Sequence, residues 1–185
     1  MKKMLALLAL FTLVFATTAF DDNDAVNHFR ASLRGLSEVP PVATEGTGTF
    51  SATLTDGGTT LEYTETFKNL NAKPIFSHIH FGATKEAAGV MVFLCGPKAG
   101  AMGGPPAGFP DPPACPDATS GTFHGSVTVA NVVGPDTQGI TPKVDFAKVV
   151  KNLRDGFAYV NLHTTRSPAG EIRGQVKAGQ EEEEE

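Results

Sequence analysis

The sequence predicts an all-β chain, an antiparallel sandwich or barrel that carries one short helix. Three observations predict it. Apolar residues recur with period two in short segments, as in Phe29-Ala31-Leu33 and Phe50-Ala52-Leu54, the pattern of strands with one buried face. Turn residues such as Asp56-Gly57-Gly58 separate these segments. Only Phe146, Val149, Val150 and Leu153 recur at helical spacing. Many short strands with frequent turns belong to sandwiches and barrels.

The N-terminus is read first as a leader. Met1-Lys2-Lys3 is basic, Leu5 to Phe15 is apolar, and Ala16 to Ala19 are small. That is a secretory signal pattern over residues 1–19, and its apolar run is shorter than the ~20 residues a membrane span needs. No later segment is long and apolar enough to span. The mature chain is expected to be secreted or periplasmic, with no membrane span after cleavage. Residues 26–178 then form one domain, and 179–185 end in the acidic run Glu181 to Glu185. Such a run reads as a solvated tail.

The domain opens with a strand through Phe29, Ala31 and Leu33, which Glu38-Val39-Pro40-Pro41 breaks. Phe50 to Leu54 and Leu61 to Phe67 form a hairpin around Asp56-Gly57-Gly58. Ile75 to Phe81 is the next strand. Val90 to Leu94 is a continuous apolar run, expected to be covered on both faces. Residues 96–120 are rich in proline and glycine and form a long loop, a length that is uncommon unless functional or tied down. Gly121 to Val133 returns to strand pattern. Thr141-Pro142 fits a helix start, and Asp155-Gly156 ends that helix. Phe157 to His163 and Glu171 to Lys177 are the last strands.

The formal net charge is −5, with 20 acidic and 15 basic residues. Losing Lys2 and Lys3 with the leader makes it more negative, and no basic patch appears in the sequence. A nucleic-acid partner is therefore not expected. Cys95 and Cys115 are the two cysteines, and an even pair in an exported chain reads as a disulfide.

The chemistry-bearing residues fall in two stretches. His78-Ile79-His80 sits on a strand, so both imidazoles share one face. Paired strand histidines begin many zinc or transition-metal sites. His163 lies on the Tyr159/Asn161 face of a later strand. Glu171 follows the next turn and is read either as a fourth ligand or as an acceptor for a ligand histidine's ring N–H. Arg173 is expected to brace that turn through its carbonyls, or else to pair with Glu171. The candidate metal set is His78, His80, His163 and Glu171, for copper or zinc. His124 is a lesser candidate, and His28 is expected to be solvent-exposed. There is no Gly-x-Ser-x-Gly, phosphate-cradling loop or His-Glu-x-x-His. Hydrolase and kinase readings have no motif, and the sequence assigns no reaction.

Several motifs together resemble a known family. Phe29-x-Ala31-x-Leu33-x-Gly35, Glu38-Val39-Pro40-Pro41, Gly48-x-Phe50, His78-Ile79-His80-x-Gly82, Val160-Asn161-x-His163-Thr164 and Pro168-x-Gly170-Glu171-Ile172-Arg173-Gly174 are similar to the CHRD domain, first named from chordin. The chain resembles the stand-alone bacterial form. The resemblance implies an exported, immunoglobulin-like β-sandwich and supplies no activity. A weaker likeness is to copper–zinc superoxide dismutase, a Greek-key sandwich. It implies copper on His78, His80 and His163, with Arg173 guiding an anion. No bridging histidine or zinc loop accompanies it. Two readings stand: a metal-binding protein with possible dismutase-like redox chemistry, or a non-catalytic extracellular module for a protein, glycan or small ligand. In the second, the histidines belong to a buried hydrogen-bond network.

Overall fold

A computed structural model describes residues 27–179 of the chain. The predicted leader and the glutamate run lie outside these residues. The strands are β1 (His28–Arg34), β2 (Thr47–Thr55), β3 (Thr60–Lys68), β4 (Pro74–Phe81), β5 (Val90–Cys95), β6 (Gly121–Val127), β7 (Ala158–Thr164), β8 (Ile172–Gln175) and β9 (Lys177–Gly179). The helix α1 (Phe146–Arg154) precedes β7. The strands form one sheet in the order β5-β4-β7-β8-β1-β2-β3-β6, with β9 also beside β1. Every pairing is antiparallel. The end strands β5 and β6 come into contact, so the sheet curls into a nearly closed, barrel-like form. The all-β antiparallel class with one helix is borne out.

Alternation decides which side chains enter the core. Phe29, Leu33, Phe50, Leu61, Tyr63 and Phe67 from one half meet Ile79, Met91, Val160, Leu162 and Ile172 from the other. The hydroxyl of Tyr63 donates to the Leu94 carbonyl oxygen, so the phenol is buried with its polar end satisfied. Glu65 takes the inward place between Tyr63 and Phe67 and is fully buried. Ser77 Oγ donates to its Oε2 at 2.7 Å. Burial pushes the Glu65 carboxyl up to about 8, against the lowering effect of the Ser77 bond.

Several boundaries differ from the sequence reading. The helix starts at Phe146 rather than Thr141, because the Asp145 carboxylate accepts the Thr141 N–H and closes a turn first. Strand β6 ends at Val127, where Thr128 and Asn131 cap a single 3₁₀ turn reciprocally. The last strand is split, because the Val176 N–H turns to the Ala158 carbonyl. The Cys95–Cys115 disulfide is present and closes a separation of 20 residues. It fastens the irregular 96–120 loop to the end of β5.

Candidate metal centre

Strand β4 lies between β5 and β7, and its two faces serve different purposes. Ser77 and Ile79 point into the core, whereas His78 and His80 point to the opposite face. Across β7, His78 stands opposite Asn161, His80 opposite Tyr159 and Phe76 opposite His163. Directly opposed residues on an antiparallel pair share a face. One more strand over, Arg173 stands opposite Asn161. The register therefore assembles His78, His80, His163, Tyr159, Asn161 and Arg173 on one surface.

That surface is dry. His78, His80, Asn161, His163 and Arg173 are all buried, because loops cover a face that an antiparallel sheet often leaves to water. The loop after β4 supplies the Ala88 carbonyl, which accepts His80 Nδ1–H at 2.8 Å. The β7–β8 turn supplies the Pro168 carbonyl, which accepts His163 Nδ1–H at 3.0 Å. In the disulfide-tied loop, Gly103 lies against Phe76. The segment after β1 brings in Glu38, whose Oε1 accepts from Asn161 Nδ2. Gly170 makes this approach possible: with φ at 127°, its missing Cβ would come 2.5 Å from Asn161 Nδ2.

The three histidines offer ring nitrogens that all lie within 4.8 Å of one another. Both nitrogens of His78, and Nε2 of His80 and of His163, are buried with no hydrogen-bond partner among the described residues. Phe76 packs at 5.0 Å from His78 and 4.5 Å from His163, and Phe93 lies 4.4 Å from His78. Burial holds His80 and His163 down at about 4. It takes His78 well below its usual range, and the neighbouring His163 and His80 reinforce this. All three imidazoles are therefore neutral at pH 7. With Nδ1–H of two of them given to carbonyls, their Nε2 lone pairs are presented to the cluster, the arrangement of metal-ligating histidines.

One side of the cluster opens to a pocket of about 280 Å³ lined by Glu38, Asn161, Tyr159 and Arg173 as well as His80 and His163. The Tyr159 ring is stacked on His80 at 4.6 Å and carries the Arg173 guanidinium at 3.4 Å. Burial pushes the Glu38 carboxyl up to about 7, while Arg173 and the bonds to Val39 and Asn161 act to lower it.

Glu171 does not join the three histidines. Strand β8 begins at Ile172, so strict alternation does not extend to Glu171. Its carboxylate instead accepts from Thr44 Oγ1 at 2.8 Å, from the Asn71 N–H at 2.7 Å and from Thr164 Oγ1 at 2.7 Å. It ties three segments together. Arg173 does brace carbonyls, but those of Ala83 and Glu86 in the loop after β4 rather than those of the β7–β8 turn. His124 is exposed on β6 and stands apart from the cluster. His28 is half-buried, with Nδ1 3.2 Å from Thr53 Oγ1, rather than solvent-exposed. Sequence reasoning missed Glu38, which it treated only as part of a strand break and a family motif. The available signal was a lone acid immediately before Val-Pro-Pro.

The CHRD domain family profile matches residues 29–176, a span that contains β2 through β8, all but the first residue of β1 and the whole histidine cluster. The chain belongs to that family. No curated protein and no solved structure matches it.

Proposed function

We propose that this CHRD-domain protein binds one transition-metal ion, copper or zinc, through His78, His80 and His163. The observation that carries the reading is the group of buried, unpartnered imidazole nitrogens. A buried polar atom left without a partner costs about 1–3 kcal/mol, and an ion satisfies several at once. Imidazole suits both metals. Nitrogens bound at about 2.0–2.1 Å to a tetrahedral ion sit roughly 3.4 Å apart, so the rings draw in by about 1 Å or less on binding. Three protein ligands beside an open pocket match the pattern of catalytic sites rather than closed structural ones.

The finer reading is redox chemistry of the superoxide-dismutase type. Bound copper supplies one-electron transfer, and Arg173 on the pocket wall offers a positive charge to an incoming anion. The disulfide fits an oxidising compartment, and together with the leader over residues 1–19 it supports export. No described helix is long and apolar enough to cross a membrane. We also read the curled sheet as a Greek-key sandwich: β4, β5 and β6 are successive neighbours, and β7 returns by a long connection to lie beside β4.

The test is metal uptake by the apo-protein, followed by calorimetry and elemental analysis. About one equivalent of Cu(II) or Zn(II) is expected, as imidazole-rich sites take up, with a raised melting temperature that chelator reverses. The double substitution His78→Ala/His80→Ala should abolish uptake. Undiminished uptake in that variant would show that the cluster is not the site. A parent whose stability ignores both metal and chelator would favour the non-catalytic module.

A further inference from the structure

The outward face of β1 carries a pattern that sheets ordinarily avoid. Arg30 stands opposite Lys177 of β9, and Arg34 stands opposite Arg173 of β8. Like charges directly opposite one another are destabilising. Among the described residues, Arg30, Arg34 and Lys177 form no ion pair with a carboxylate, and all three are exposed. These three exposed cations line one groove of about 500 Å³, which the buried Arg173 also borders with its guanidinium already held by the Ala83 and Glu86 carbonyls, and no lining residue is acidic. The groove also presents hydroxyls, including Ser32 and Ser51. In a chain with more acids than bases, this is a local concentration of positive charge and not a reflection of bulk composition.

The cations are spread rather than convergent. Arg30 and Arg34 are four residues apart on one strand, roughly 13 Å. A single small anion cannot span the Arg30/Lys177 pair and Arg34 together, whereas an extended ligand can. Hydroxyls between these cations, Ser32 among them, offer partners to sugar hydroxyls. No exposed aromatic ring lines the groove as a platform for stacked bases. We infer that this groove binds an extended ligand bearing two or more carboxylate or sulfate groups, the chemistry of an acidic oligosaccharide. The site uses none of the histidines and does not depend on metal binding.

The experiment titrates the full chain with an oligogalacturonate, a sulfated dextran oligomer, neutral dextran and a short DNA duplex. Saturable binding of at least one acidic oligosaccharide is expected, weakening as salt rises. The variant Arg30→Gln/Lys177→Gln should bind at least tenfold more weakly. Without ligand its melting temperature should be unchanged or higher, because a repulsive pair has been removed. That opposite movement of stability and binding separates a binding role from a folding defect. The His78→Ala/His80→Ala variant should bind the oligosaccharide like the parent, so loss of the metal reading leaves this one standing. The inference is overturned if no acidic oligosaccharide binds, if neutral dextran or DNA binds as well, or if the Arg30/Lys177 variant binds undiminished.

Discussion

Strands β1 and β7 are each seven residues long, yet β7 is buried at every position while β1 exposes Arg30, Ser32 and Arg34. The difference lies in what covers them. Loops lie over the outward face of β7, and water lies over that of β1. On the wet face, unpaired polar and charged groups are tolerated because solvent satisfies them. On the dry face each polar group needs a partner. Glu171, Arg173 and Asn161 have protein partners. The presented nitrogens of His78, His80 and His163 have none among the described residues. The comparison thus separates polar residues that hold the covering in place from those poised to bind.

The strongest way to break this division is Glu171→Ala. It strips the acceptor from the buried Thr164 and from the more open Thr44 and Asn71, and should destabilise by about 3 kcal/mol in urea unfolding, the scale for removing a buried group from its hydrogen-bond network. Metal uptake by the fraction that still folds should persist. If stability holds and uptake collapses, Glu171 is a ligand and the division is wrong. Next is the disulfide. Cys95→Ser/Cys115→Ser releases a loop closed over 20 residues and should cost about 3 kcal/mol on the loop-entropy relation. It should also weaken metal binding, since part of the covering over Phe76 is loosened.

The core supplies a third, pH-dependent test. Glu65 holds its proton up to about 8, whereas an unfolded glutamate releases it near ~4.3. Between these values the native state binds more protons than the unfolded state, so stability falls as pH rises. The contribution is complete below the lower value and lost by the upper one. Unfolding free energies from urea titrations across that window should fall by an amount on the order of a few kcal/mol, and Glu65→Gln should flatten the trend. The smallest effect belongs to the wet face. Thr66→Ala removes a hydroxyl contact to Thr122 that water can replace and should change stability by no more than about 0.5 kcal/mol. A larger loss would mean that this face is also covered, by a partner.

The strands and the disulfide were legible in the sequence because alternation and cysteine parity are local signals. So was the convergence of His78, His80 and His163, since the first two share a face by spacing and the third lies in the same family motif set. The position of Glu171 was not legible. Its direction depends on β8 starting one residue later, and boundaries are set by tertiary contacts that no single residue announces. Glu65 differs: alternation alone puts it on the Tyr63/Phe67 face, and only its charge argues against burial there, which the Ser77 hydroxyl across the core offsets. The basic groove was invisible for a different reason. Arg30 and Lys177 lie at opposite ends of the domain, and only pairing of β1 with β9 makes them neighbours.

The stack of Tyr159 on His80 also makes the protein its own optical probe. The chain has no tryptophan and two tyrosines. Tyr63 sits in the core with its hydroxyl on Leu94, and Tyr159 lies against a candidate ligand. Intrinsic emission therefore divides into one reporter for core integrity and one for the cluster. A paramagnetic Cu(II) ion should dim the second more than the first, whereas Zn(II) should leave both bright. A fluorimeter, with Tyr159→Phe and Tyr63→Phe to assign the signals, can thus tell a copper-filled cluster from one that is empty or holds zinc, without any added dye.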